Sequence, residues 1–286
     1  MARHMIARLQ MLLVHTAALT LPRYLQSHMV LQSEPERACL WGWAQPGTDI
    51  SIGVVISGER VWSGNATVAP NSTEWRVCLD PQPVSMHPAT IHISEAGGGA
   101  NRSASLSDVL FGDVYLCSGQ SNMAAAVAGV TNASAECAAA INPTLRTFTV
   151  FPGGSGSPES DLSPPLTNWS SASPATICPP LIKPFTPYSL FNSGGYKGMS
   201  AICYFFGRDL HAALGGNTPI GLIHSSVSGT QVQSWMPSGG LYNAMVHPMI
   251  RTPIKGVIWV LPRPMRVYQS HLPRPLLSRA QRRILR

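Results

Sequence analysis

Acidic residues are scarce in this sequence and absent from its last quarter. Of 286 residues only 13 are Asp or Glu, against 20 Lys or Arg, and no acid follows Asp209. The stretch Val260–Arg286 holds seven arginines (Arg263, Arg266, Arg274, Arg279, Arg282, Arg283, Arg286), which leaves 13 basic and 13 acidic residues in Met1–Trp259. The formal charge of +7 is therefore local to the tail, and any inference from it about basic partners applies only there. Charged residues make up 12%, too few for a coiled coil, and the 44% hydrophobic content excludes a disordered chain. No run of about 18 apolar residues occurs, so no membrane span is expected. The six cysteines (Cys39, Cys78, Cys117, Cys137, Cys178, Cys203) never stand as CxxC, so neither a zinc nor an iron–sulfur site is expected. Their even number permits disulfides without assigning them. The tail has no aromatic interleaving and no nucleic-acid motif, so no nucleic-acid partner is expected either.

Several features favour a secretory, lysosomal or extracellular setting. Five Asn-x-Ser/Thr triplets begin at Asn65, Asn71, Asn101, Asn132 and Asn168, several of them in Ser/Gly/Pro-rich segments that read as surface loops open to glycosylation. Arg3 and Arg8 precede the moderately apolar Met11–Leu21, the pattern of a weak signal peptide, although His15 interrupts it.

Four regions emerge from the pattern. Residues 1–28 read as a signal or N-terminal extension. Residues 29–107 hold short strand candidates (Ala38–Trp43, Asp49–Ser57, Arg60–Val68, Glu74–Leu79, Thr90–Ser94) broken by Gly/Pro turns, which predicts a β-sandwich. Residues 108–259 change character. Val109–Cys117 ends as a buried strand, Met123–Val130 is Ala-rich and helical in propensity, and Phe151–Pro187 reads as a long Pro/Ser/Gly loop. Gly198–Leu214 is amphipathic and stops at Gly215-Gly216, while Pro219–Ser226 and Ile254–Val260 are further strands. Alternating strands and helices predict a parallel α/β sheet of about three strands. Residues 260–286 read as a disordered Arg/Pro-rich tail.

Ser121 lies after a predicted buried strand and before a predicted helix, where a hydroxyl is exposed at the carboxyl edge of an α/β sheet. Gly119 allows the turn, and a helix N-terminus offers unpaired N–H groups to an oxyanion. The plain alternative is that Ser121 is an N-cap.

The stretch Phe111-Gly-Asp-Val-Tyr-Leu-Cys-Ser-Gly-Gln-Ser-Asn-Met123 resembles the nucleophile block of the sialate O-acetylesterases, within the wider SGNH hydrolase group. Met29-Val-Leu-Gln32, Trp41-Gly-Trp43, Lys197-Gly-Met-Ser-Ala201, Phe206-Gly-Arg208, Pro219–Ile223, Asn243–Pro248 and Lys255–Trp259 resemble further blocks in family order, so the resemblance covers about Met29 to Trp259. It implies an N-terminal β-sandwich followed by an incomplete three-layer SGNH-type parallel sheet. It implies Ser121 as nucleophile within a motif of Gly119, Gln120 and Asn122, with the N–H groups of Ser121 and Gly229 as oxyanion donors. The implied reaction releases acetate from O-acetylated sialic acid, or a related acetylated sugar, with no cofactor or metal.

Departures bear on activity. Ser225-Ser-Val-Ser-Gly-Thr230 carries Ser228 and Val227 where the family has Gly and Trp, and Gln233 stands near an expected acid. After Trp259 the family continues Tyr-Gln-Gly-Glu-Ser-Asn, whereas this chain reads Val260-Leu-Pro-Arg-Pro264. The late Asp-x-x-His block of base and orienting carboxylate is missing, and a serine without such a base is a poor nucleophile. His211, His224, His247 and His271 do not occupy the family's catalytic position and read as structural or solvated. His211 is expected to be exposed, and Asp113 to order a turn before a strand. The sequence reading is therefore an esterase lineage with impaired catalysis in this chain. Its alternative is a non-catalytic fragment that binds glycans or anions. The abrupt change inside a strand has the signature of a frame change or an aberrant splice.

Overall fold

The computed structural model describes residues 19–96, 102–180 and 197–260. The N-terminal 18 residues, Asn101, part of the predicted long loop, His271 and the arginine tail lie outside them.

Alternating apolar and polar residues build the N-terminal layer. Strands β3 (Asp49–Ile56), β4 (Glu59–Thr67) and β6 (Ser85–Ala96) pair antiparallel in the order β4-β3-β6. Ile50, Ile52, Val54, Ile91 and Ile93 point inward and are buried. A second, two-stranded sheet of β2 (Cys39–Trp43) and β5 (Glu74–Cys78) packs on that face through Leu40, Trp41 and Val77. This is the expected sandwich, with strand ends within a few residues of those read from the pattern except for β6, which begins five residues earlier.

Two expectations change here. The chain from residue 19 already belongs to the fold. Thr20 bridges Trp43, and Tyr24 and Leu25 are buried, with Tyr24 stacked on Trp41 and edge-on to Phe148 and Trp169. Each such ring pair adds about 1 kcal/mol beyond the area it buries. The expected boundary at 107/108 also falls within one continuous strand, β7 (Ser103–Gly119). Its first half pairs with β6, its middle with the short β1 (Val30–Gln32), and its second half with the α/β strands. Asp108 marks the change, with φ +54° beside a register shift in the β6–β7 ladder.

Beyond that point β11 (Gly256–Val260), β7, β10 (Ile220–Ser226) and β8 (Asn142–Thr149) run parallel, and β9 (Thr167–Ala172) closes the edge antiparallel to β8. Among the described residues the sheet thus has five parallel strands, counting the short β1 beside β7, rather than three. Strand β8 escapes a hydropathy reading because Arg146, Thr147 and Thr149 are buried polar residues in it. Strand β9 and the one-turn helix α3 (Pro174–Ile177) lie inside the segment read as loop, and the Ala-rich segment forms only the short α1 (Ser121–Ala124) and a 3-10 turn before α2 (Ala133–Ala138).

Helices cover both faces. The amphipathic α4 (Ala201–Ala213) packs Cys203, Tyr204 and neighbours on Cys117, Leu145, Ile220 and Leu222. The opposite face, with Val114, Phe148 and Ile223, is covered by α5 (Gly240–Met245) and the turn holding Trp235. Three disulfides, Cys39–Cys78, Cys117–Cys203 and Cys137–Cys178, staple β2 to β5, α4 to β7, and α2 to the end of α3. Among the described residues no helix is long and apolar enough to cross a membrane.

Candidate active site

Strand β7 ends at Gly119, where the chain turns at φ +133° and a side chain would collide with the Val260 carbonyl oxygen. Only glycine meets both conditions. Gln120 occupies the cap position without making a side-chain cap, and Ser121 is the first residue of α1. Ser121 is therefore not the N-cap. Ser121 and Asn122 are exposed while Met123 anchors the turn in the core. In the first turn of a helix the Ser121 N–H has no intrahelical acceptor.

A second turn is fastened to the first. Ser226 lies in register with Gly119, and the Val227 N–H donates to the Gly119 carbonyl at 3.2 Å. Val227 is buried, Ser228 half-buried and Gly229 exposed with φ +75°. The Thr230 hydroxyl donates to Val227 O at 2.7 Å and accepts from Trp235 Nε1 at 3.0 Å, which fixes the loop. Trp235 meets Trp259 edge-on, centroids 5.6 Å apart. The sheet edge thus brings the turns of Ser121 and Gly229 together.

The structure places the other polar candidates away from Ser121 or in structural roles. Asp113 is buried within β7, not in a turn before it, accepts from Gln32 Nε2 at 3.2 Å and forms an ion pair with Lys255 Nζ at 3.3 Å. It stands six residues before Gly119, roughly 20 Å along an extended strand. His211 is half-buried rather than exposed. It contacts Thr144 Oγ1 at 2.9 Å and Asn142 Nδ2 at 3.3 Å, and burial lowers its pKa. His247 donates from Nδ1 to the Glu159 carbonyl at 2.9 Å. Among the described residues no side chain hydrogen-bonds the Ser121 hydroxyl.

Sequence reasoning passed over one pair. His224 and Ser226 alternate onto the same face of β10, and His224 Nε2 lies 2.7 Å from Ser226 Oγ. Both are buried, His224 Nδ1 has no partner among the described residues, and burial lowers the His224 pKa to about 4. The period-two pattern of Ile220, Leu222, His224 and Ser226 was the available signal. The neighbouring Ser118 hydroxyl is also buried without a partner among the described residues.

No family model matches the chain. Among curated proteins it is 31% identical over 262 residues to sialate O-acetylesterases of Homo sapiens and Pongo abelii, an alignment that takes in 82% of this chain and 47% of each relative. The Mus musculus sialate O-acetylesterase is 29% identical over 288 residues. The chain is homologous to the sialate O-acetylesterases. It spans about half the length of the curated relatives it matches. Among solved structures, a carbohydrate acetylesterase from Xanthomonas citri superimposes with TM-score 0.68 at 28% identity, covering 84% of this chain and 51% of that one. The acetylesterase likeness thus extends to the α/β fold itself.

Of the triplets, Asn71 and Asn132 occupy a turn and the start of α2, Asn65 sits in β4 as its strand candidate expects, and Asn168 sits in β9, inside the segment read as loop. These four asparagines are exposed, and Asn168 Oδ1 accepts from Gln26 Nε2 at 3.1 Å.

Proposed function

We propose that this chain descends from a serine ester hydrolase acting on O-acetylated sialic acids or related acetylated sugars, with Ser121 as its nucleophile. The observation that carries this reading is the exposed Ser121 in the first turn of α1, beside the loop of Gly229. In that chemistry Ser121 Oγ attacks the acetyl carbonyl while its proton passes to a base. The bond to the sugar oxygen breaks and the sugar hydroxyl departs with a proton. Water then attacks acetyl-Ser121 and releases acetate. The N–H groups of Ser121 and Gly229 would share the negative charge on the carbonyl oxygen. The three disulfides and four exposed glycosylation triplets support an oxidising, secretory setting.

These 286 residues hold no Asp-x-x-His block, and we infer slow turnover from them. Loss of the base costs about 10⁴–10⁶-fold in kcat where such units have been dissected. The test measures release of acetate from an O-acetylated sialic acid glycoside by this chain, by its Ser121→Ala variant and by the Homo sapiens relative. Turnover at least 10³-fold below the relative is expected. Ser121-dependent turnover within tenfold of the relative would overturn the impairment. Ser121-independent turnover would overturn the nucleophile.

A further inference from the structure

The exposed face of the N-terminal sheet carries a polar hollow of about 290 Å³, formed by β3, β4 and β6. Strand alternation sends Ile50, Ile52 and Val54 to the core and the intervening positions outward. Two cross-strand rows line the hollow. Asn65, Ser51 and Ser94 stand side by side in one, and Ser63, Gly53 and His92 in the next. Gly53 contributes no side chain, so the middle of the second row is lowered. Into that dip folds Arg60, whose guanidinium carbon lies 3.4 Å, and Nε and Nη1 3.6 Å, from the place a Cβ on Gly53 would take.

Arg60 has no carboxylate partner among the described residues. Of the nearby acids, Glu59 stands opposite Ile56, one position off the Arg60–Val55 pair, and two others are engaged elsewhere. Asp49, two positions before Ser51 on the same face, accepts from the Thr67 hydroxyl at 2.6 Å, and Glu95 turns inward beside Arg102 at 3.5 Å. A cation therefore lies across a concave floor, next to hydroxyl and amide groups that can both donate and accept. A guanidinium of this kind takes a carboxylate in a two-point bond. The flanking serines and Asn65 match the hydroxyls and amide of a sugar ring. The volume is at the lower end of small-molecule sites, enough for one ring and too small for an extended chain. A bare inorganic anion would leave the row of Ser51, Ser94 and Asn65 unused.

We propose that this hollow binds a single carboxylate-bearing sugar ring, with Arg60 on the carboxylate and the Ser51 row on its hydroxyl and amide groups. Its strands, β3, β4 and β6, do not carry Ser121, which follows β7, and the site asks nothing of the ester chemistry. It would hold an acidic glycan on the enzyme's β layer whether or not this chain turns it over. Asn65 belongs to a glycosylation triplet, so its modification and occupancy of the hollow compete for the same space.

The test uses the full chain carrying Ser121→Ala, produced without N-glycosylation. The probe is the methyl α-glycoside of N-acetylneuraminic acid, titrated by calorimetry and saturation-transfer NMR. Arg60→Gln is expected to weaken binding about tenfold or more, the loss of a charge-assisted bond. Gly53→Val, which fills the dip, should do the same, and the methyl ester of the glycoside should bind the unaltered hollow as weakly as the free acid binds Arg60→Gln. Both positions are on the sheet's outer face, and unchanged thermal melts establish that the variants fold. If Gly53→Val fails to fold, Arg60→Gln decides alone. Undiminished affinity in Arg60→Gln, equal affinity for acid and ester, or no binding at millimolar glycoside would overturn the proposal. So would displacement of the glycoside by equimolar inorganic phosphate, since that would reveal a general anion patch.

Discussion

The buried His224 makes acid stability a sharp test of the structure. It stands between Cys117 of β7 and Thr149 of β8, in register on either side, and its one side-chain hydrogen-bond contact among the described residues is Ser226 Oγ at 2.7 Å. Burial lowers its pKa to about 4, against about 6.5 in an unfolded chain. Between those values the unfolded state binds the proton and the folded state does not, so stability falls as pH drops from about 6.5 towards 4 and levels off below. The shift corresponds to about 3 kcal/mol in full, of which about 2 kcal/mol is lost between pH 7 and pH 5. His211, also lowered by burial, acts in the same direction. Asp108, lowered chiefly by its bond to Arg146, acts only in the more acidic carboxylate range. Comparing the protein with His224→Gln isolates the residue, because those other contributions cancel in the difference. Urea melts from pH 7 to pH 5 should show the unaltered protein losing about 2 kcal/mol more than His224→Gln. Parallel stability profiles for the two proteins would refute a buried neutral His224.

Other perturbations test other parts of the fold. Asp108→Asn should cost about 3 kcal/mol in denaturant melts, because it removes the carboxylate held by Arg146 Nη1 and Nη2 at 2.7 and 3.0 Å and leaves a buried guanidinium charged and unpaired. Opening the Cys117–Cys203 disulfide by Cys117→Ser with Cys203→Ser should cost about 4–5 kcal/mol on chain-entropy grounds, since it closes a span of 86 residues. Opening Cys39–Cys78, across 39 residues, should cost slightly less, and the ranking can be read from melting temperatures. Gly119→Ala should cost about 1–3 kcal/mol and speed amide exchange at Gln120, whose N–H donates to Val260 O, because the new methyl meets that same oxygen at a strained φ.

Much of the β layer was legible because its physics is local. Strands β3, β4 and β5 alternate cleanly, and Gly/Pro turns punctuate them, so their ends came out within two residues of the structure. Helix α4 was legible for the same reason at a different period. The failures came where burial depends on distant partners. Arg146 belongs to a buried strand only because Asp108, 38 residues earlier, receives its guanidinium. Trp169 belongs to β9 rather than a loop because Tyr24 and Phe148 close around it. His224 reads as structural or solvated, and nothing near it in sequence decides between them, because only β7 and β8 on either side enclose it.

By itself the sequence determined the two layers, the turn that exposes Ser121 and the likeness to sialate O-acetylesterases, since each rests on period, propensity or ordered motifs within short windows. Only the tertiary structure decided that β7 runs unbroken from one layer into the other, which cysteines pair, and that Arg60 folds over Gly53 in a polar hollow. Those facts depend on register between strands far apart in the chain, and register is set by the packing of the whole sheet rather than by any one strand.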